Sequence, residues 1–434
     1  MKLAIIGSGI SGLTAAYHLH RDHEVTLFEA NDYVGGHTNT VDVEFDGERH
    51  AIDTGFIVFN DWTYPNFIQL MDKLGVVSEP TTMSFSVRDD RTGLEYNGHS
   101  LATLFAQRRN LLRPSFYRML ADIVRFNREA TRFVGNLNDE TTVAEFLARE
   151  GYSKYFAEQY LLPMGAAIWS CPLGTFAQFP IRFIIEFYHN HGLLNVLRRP
   201  VWRVIANGSR TYVEAMTKGF RDRIRLNTPV QSVRRLVDRV ILGTGGSEFE
   251  EFDHVIFACH SDQALRILGD DATSAERDIL TAFPYEKNVA ILHTDTSLLP
   301  RTRGCWASWN YRVTGEADAP ASVTYNMNML QGIRSRNVYC VTLNGESQIA
   351  SDRILRRFVY HHPVFTTRRA EAQTRHAELI NAHRTSFCGA YWRNGFHEDG
   401  VVSAMAVVKA IREPQRDAKV EQSHPQPAGA PYDG

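Results

Sequence analysis

Two rhythms of apolar and polar positions alternate along this chain, and the places where one gives way to the other mark its organisation. Residues 2–6 (KLAII) read as a short apolar strand ending at Gly7. From 10 to 21 the apolar positions Ile10, Leu13, Ala16, Tyr17 and Leu19 fall at helical spacing. VTLFEA at 25–30 is a second strand, β-branched and closed by the acid Glu29. Strand, glycine turn, helix, strand is a βαβ unit with a parallel pair.

From about 60 to 195 the texture turns helical. Residues 101–134 interleave arginines with Leu, Phe and Ile, and 160–188 are rich in aromatic side chains. Strands return over 223–258 in RIRLNTPVQSVRR, DRVILG and FDHVIFAC. Residues 271–384 mix strands (NVAILHT, NVYCVTLN) with a charged helix near 369–383. A strand at 385–388 leads into Gly389 and a last helix over VVSAMAVVKAI. The segment 413–434 is polar and proline-rich, and is expected to be a disordered tail. No internal repeat is visible.

Composition narrows the classes. A chain of 434 residues suggests about two to three domains. With 47 basic and 49 acidic residues the formal charge is −2, so no global field favours nucleic acid as a partner. The five cysteines (Cys171, Cys259, Cys305, Cys340 and Cys388) form no CxxC pair. That argues against a disulfide framework or a structural zinc, and for a reducing, cytoplasmic setting. The apolar start is interrupted by glycines and resumes as a strand, so we read it as folded structure and not as a signal peptide. No apolar run approaches the roughly 18 residues of a membrane span.

GSGISG places Gly7, Gly9 and Gly12 in the G-x-G-x-x-G spacing, with Ser11 inside it. Gly7 permits the tight turn, Gly9 lets the backbone approach a pyrophosphate, and Gly12 lets the helix pack on the strand. The helix start adds free N–H groups and its dipole. Alone the pattern is weak, since 30 glycines in 434 residues produce it by chance about 0.1 times per chain. Its place between a strand and a helix, with Glu29 poised for ribose hydroxyls, makes it specific.

EANDYVGGHTNT puts Gly35 and Gly36 just beyond Glu29 and is followed by IDTGFIVFN at 52–60. FCGAYWRNGFHEDGVVSAMAVVKAI closes the chain with strand, glycine and helix. In this order these motifs resemble the flavin-containing amine oxidase and phytoene desaturase superfamily. The resemblance implies FAD as cofactor, and an α/β architecture whose Rossmann-type, GR2-like FAD-binding domain is interleaved with an α+β substrate domain. It implies FAD contacts from Gly7, Gly9, Ser11, Gly12, Glu29, Gly35, Gly36, His37, Thr38, Thr54, Gly55, Phe56, Val230 (in the strand after Asn227), Gly389, Gly400 and Val401. The family usually keeps arginine where His37 stands, and an imidazole cannot reproduce its fork. The expected domains are 1–60, 196–270 and 385–412 for FAD, with 61–195 and 271–384 for substrate. HHPVF, FCGAYW and GFHEDG also resemble a bacterial subgroup of FAD/NAD-binding, amine-oxidase-like proteins associated with cyclopropane-fatty-acid-synthase-like enzymes.

The same alignment puts Phe396 where amine oxidases keep a substrate-flanking tyrosine. Their flavin-side lysine falls at or near Val289, with Lys287 two residues earlier. His397, Glu398 and Asp399 lie closest to the expected flavin edge, and His397 or Glu398 could take a proton as hydride leaves. Capping of the last helix is the alternative role for this trio. Phe156, Tyr160, Trp169, Phe176, Phe179, Phe183, Phe187 and Tyr188 suit an apolar tunnel, although an ordinary helical core is the commoner origin of such a run. His260, His361 and His362 read as structural, Cys388 as a buried strand residue, and no metal triad is present. The Arg-rich stretch 101–134 could lie peripherally on an anionic membrane, a solvated helix face being commoner.

The expected function is FAD-dependent hydride abstraction from an apolar small-molecule or acyl-lipid substrate, as in fatty-acyl desaturation. Three alternatives stay open. They are an amine oxidase producing imine and hydrogen peroxide, a non-redox enzyme using reduced FAD, and a flavin-binding partner protein without turnover. Substrate identity, electron acceptor and oligomeric state are not encoded in any motif.

Overall fold

The computed structural model describes residues 1–133, 141–195, 199–246, 248–313 and 322–413. At its centre lies a five-stranded parallel sheet, ordered Ile224–Arg225, Glu24–Phe28, Lys2–Ile6, His254–Phe257 and Thr385–Phe387. Its strands come from the start, middle and end of the chain. Ile5 is flanked by Leu27 on one side and Ile256 on the other. The central strands are buried on both faces, so their sequences run apolar instead of alternating.

On one face of this sheet the helix Ile10–Leu19 packs with the last helix, His397–Arg412. Leu3, Ile5, Leu13, Ala16, Val401 and Ala404 share that core. The other face carries an antiparallel layer, Ser232–Arg235, Val240–Gly243 and Phe249–Phe252, and the helix Ser261–Leu268. A second, seven-stranded mixed sheet runs from Ile354–Pro363 through Tyr285–His293 to Leu94–Asn97. The helices between 114 and 190 bury their aromatic faces against it, which forms the largest core.

Local chemistry explains where the elements depart from the pattern read along the sequence. Residues 101–134 do not form one helix. A short helix Leu101–Leu104 and a 3₁₀ turn Arg108–Leu112 precede the helix Pro114–Phe133. Pro114 lacks an N–H and belongs at a helix start, so it divides the stretch. The charged helix near 369–383 shortens to Arg369–Thr374 and a 3₁₀ turn His376–Leu379, because Asn381, His383 and Arg384 adopt positive φ and turn the chain into the next strand. Val230 precedes its strand, which begins at Ser232, and is buried in the connection that follows Asn227. The last helix starts at His397, ahead of its apolar pattern. The expected tail lies, from residue 414 on, outside the described residues.

Candidate active site

The turn from the first strand into the first helix is closed by missing side chains. A β-carbon on Gly12 would lie 1.9 Å from the Gly7 carbonyl oxygen, and Gly7 itself holds φ at 102°. Only glycine satisfies both. A β-carbon on Gly9 would meet no atom within 4 Å, and no side chain caps the helix that begins there. The positive end of the helix therefore faces an open approach, the geometry that receives an anion. Gly36 comes down on the same spot, where its β-carbon would sit 3.0 Å from the Gly9 Cα.

Glu29 is buried at the end of its strand. One carboxylate oxygen accepts from the Ser8 N–H at 2.9 Å and Ser8 Oγ at 2.6 Å, the other from the backbone and side-chain nitrogens of Asn31 at 2.9 Å each. The connection that carries Val230 runs past the same acid, with Thr228 N–H donating to the Glu29 carbonyl at 2.8 Å. His37 follows the glycine pair. Its ring stacks on Tyr360 at 5.0 Å and lies 5.2 Å from His362 and 6.4 Å from His260. Burial pushes its pKa down to about 4, so the ring is neutral, and its buried Nε2 has no partner among the described residues.

Residues 37–39 and 54–56 run side by side, through Phe56 N–H to the His37 carbonyl at 2.7 Å and Thr54 N–H to the Asn39 carbonyl at 2.9 Å. Gly55 permits this approach, since a β-carbon there would be 2.1 Å from the His37 oxygen. Tyr360 from the second sheet locks the pair, its hydroxyl lying 2.9 Å from Thr54 Oγ1 and 3.1 Å from Asn39 Nδ2. Beneath them the buried Asp53 accepts from Thr40 Oγ1 and from the Ser209 N–H and hydroxyl, and burial raises its pKa to about 6. The last helix is fastened to Gly389 by Ser403, whose Oγ accepts the Gly389 N–H at 2.9 Å. Gly400 seats that helix on the first, because a β-carbon would fall 2.6 Å from Ile10 Cγ2. Val401 packs into the shared core.

The three candidate catalytic side chains separate at this point. His397 stacks on Phe56 with ring centroids 3.5 Å apart, and its Nε2 lies 3.0 Å from Thr38 Oγ1 and 3.1 Å from the Tyr212 hydroxyl. Thr38 and Tyr212 are themselves in close hydrogen-bond contact. Burial, with a smaller contribution from His37, drives the His397 pKa well down, so it is a neutral base between two hydroxyls. Phe396 lies against Phe187, centroids 5.2 Å apart, beside His191. Glu398 is a cap. Its oxygens accept from Asn66 N–H at 3.1 Å, Asn66 Nδ2 at 2.6 Å and Phe67 N–H at 2.9 Å, at the start of the helix Pro65–Leu74. Asp399 caps its own helix through the Phe396 N–H at 2.9 Å, and burial raises its pKa to about 7.

Lys287 is exposed, on the strand face opposite the one that carries Asn288 and, across the register, Tyr360. Val289 shares that outer face and packs with Ile291 and Ile354. Neither reaches the loop of His37 and Thr54. Tyr212 and Tyr360 escaped the sequence reading because nothing in their local pattern distinguishes them from core tyrosines. The aromatic run is core: Phe156, Trp169, Phe176, Phe179, Phe183, Phe187 and Tyr188 are all buried, with Tyr160 packed against them.

An uncapped helix start, an open approach over Gly9 and an unpartnered imidazole nitrogen are features that a diphosphate-bearing cofactor fits. The family model described as flavin containing amine oxidoreductase matches residues 10–307, more than half of the chain. The chain belongs to this family. A flavin amine oxidoreductase of this kind is an FAD-dependent enzyme with an α/β FAD-binding fold. Among curated relatives it is 37% identical over 76 residues to zeta-carotene desaturase of Synechocystis sp., covering 17% of this chain and 15% of that protein. It is 26% identical over 174 residues to L-amino-acid oxidase of Pseudechis australis, covering 35% and 31%. The matches thus span less than a third of those relatives. Two solved structures share the fold over 95% of the chain. Cyclohexylamine oxidase from Brevibacterium oxydans superposes with TM-score 0.67 at 16% identity, covering 95% of this chain and 99% of its own. A conjugated-linoleic-acid-producing fatty acid isomerase from P. acnes superposes with TM-score 0.67 at 14% identity and the same coverage.

Proposed function

We propose that this flavoenzyme removes two hydrogens from a fatty-acyl-type apolar substrate and leaves a carbon–carbon double bond. The observation that carries the reading is the neutral, aromatic surround of His397. Phe56 covers one face of its ring, Phe67 and Tyr212 stand edge-on to it with centroids 5.9 and 6.3 Å away, and Lys287 lies on the exposed face of its strand. Such a wall gives a hydrocarbon apolar surface to bury against. The desaturase and fatty acid isomerase among the similar proteins support the same substrate class.

FAD, when bound, supplies the acceptor for a hydride. His397 takes the proton from the adjacent carbon, so one C–H pair of electrons leaves with the hydride and the other becomes the new π bond. In the tautomer that gives its Nε2–H to the Thr38 or Tyr212 hydroxyl, the Nδ1 lone pair is left to receive that proton. Gly7, Gly9, Ser11, Gly12, Gly35, Gly36 and His37 would hold the diphosphate, Glu29 and Val230 the adenosine end. Thr38, Thr54, Gly55, Phe56, Gly389, Gly400 and Val401 would surround the ring system. The corresponding division of the chain assigns 1–60, 196–270 and 385–412 to FAD and 61–195 and 271–384 to substrate.

The test is anaerobic mixing of the yellow protein with acyl lipids or with simple amines while the flavin absorbance is followed. Bleaching by acyl lipids alone is the expected result, slowed about a hundredfold or more in His397→Gln. Bleaching by amines, with peroxide released on admitting air, would replace this reading with amine oxidation.

A further inference from the structure

The surface formed by residues 101–133 carries a pattern that the reaction does not use. Leu112 is 86% exposed, Leu101 76%, Val124 65%, Tyr117 47% and Leu111 46%. Large aliphatic side chains this exposed, gathered in one short stretch, are uncommon on a surface that meets only water. They are also continuous. Tyr117 and Val124 stand two helical turns apart on one stripe of the helix Pro114–Phe133, with the exposed Arg128 beyond them. The Tyr117 hydroxyl reaches back to the Leu111 carbonyl at 3.1 Å, which brings the 3₁₀ turn alongside the stripe. The opposite side of the helix is buried through Phe116, Met119, Phe126 and Ala130, so the stripe cannot turn inward.

Charge decides what this surface meets. Arg108, Arg109, Arg118 and Arg128 are exposed around the aliphatic residues. The only acids between 101 and 133 are Asp122 and Glu129. Asp122 is buried and draws Arg118 and Arg125, at 3.6 and 3.7 Å, and Glu129 pairs with Arg128 at 3.7 Å, so each acid is offset by an arginine beside it. Exposed leucines ringed by arginine complement the boundary between anionic headgroups and acyl chains. No helix among the described residues is long and apolar enough to cross a membrane, so the contact is a surface one.

We propose that residues 101–128 form an interfacial docking surface for anionic lipid bilayers, with Leu111, Leu112 and Val124 entering the acyl boundary. This placement does not depend on the acyl-substrate reading, although it would bring that substrate within reach. The test is co-sedimentation of the flavin-loaded enzyme with vesicles of phosphatidylglycerol or of phosphatidylcholine. Binding is expected to phosphatidylglycerol, weakening about fivefold for each arginine neutralised in Arg108→Gln or Arg109→Gln. Leu111→Ser with Leu112→Ser is expected to lower it about tenfold or more. Val237→Ser, at a 97% exposed valine elsewhere, serves as the control and is expected to bind like the parent. Flavin absorbance and melting temperature report that each variant is folded. Absence of binding to phosphatidylglycerol, or binding unchanged in the leucine pair, would overturn the proposal. Anaerobic bleaching by a soluble short-chain acyl compound tests the substrate reading separately.

Discussion

Replacing Glu398 distinguishes a cap from a catalytic base. Its carboxylate receives three N–H donors at the start of the helix Pro65–Leu74, two of them backbone groups that the helix itself cannot satisfy. In Glu398→Ala, the Asn66 amide can turn to water, whereas the Phe67 N–H is buried and left without an acceptor. An orphaned buried donor costs about 1–3 kcal/mol, and a charge-assisted cap adds about 1, so about 3 kcal/mol is the expected loss. Glu398→Gln keeps one acceptor oxygen but turns an amide toward the other donor, which costs about 1.5 kcal/mol. At about 1 °C per kcal/mol for a chain of 434 residues, the melting temperature falls by about 3 °C for Ala and about 1.5 °C for Gln. The assay pairs thermal unfolding with the rate of anaerobic flavin reduction well below the melting point. A cap predicts lower melting temperatures and a reduction rate within about threefold of the parent. An unchanged melting temperature together with a rate lowered a hundredfold in Glu398→Gln would refute the capping argument and restore Glu398 as the proton acceptor.

Other consequences follow from single contacts. Gly400→Ala places a methyl 2.6 Å from Ile10 Cγ2 and 2.9 Å from Ser11 Oγ, so the two helix starts must part. Overpacking of about 1–3 kcal/mol and weaker FAD retention on gel filtration are expected. Asp399 has a folded pKa raised to about 7 against an ordinary 3.8. Between those values the folded chain keeps a proton that the unfolded chain has released, so this group's contribution to stability is full below pH 4 and falls as pH rises through about 7. Urea midpoints across that range should therefore vary less in Asp399→Asn than in the parent. Lys287→Met should leave flavin reduction and its reoxidation by oxygen unchanged in stopped flow, because the ammonium is exposed on the outer strand face.

What the sequence determined by itself was the part governed by near neighbours. A strand, a glycine turn, a helix and a closing acid must follow one another within Lys2–Glu29, and their spacing is set by local backbone geometry and helix periodicity, so the first βαβ unit was legible. The break at Pro114 was not read, because the apolar pattern around it runs on through residues 101–134. The tertiary structure decided that Glu398 would cap a helix and that His397 would lie between two hydroxyls. Glu398 meets Asn66 and Phe67 across more than three hundred residues, and His397 meets Thr38 and Tyr212 across 359 and 185. Tyr360 reaches Thr54 only because the seven-stranded sheet delivers its strand to that loop. Such contacts depend on how separate elements pack, and packing is a property of shape and burial in three dimensions. A residue's type states what it can donate or accept. Its partner, and so its role, is set by the fold.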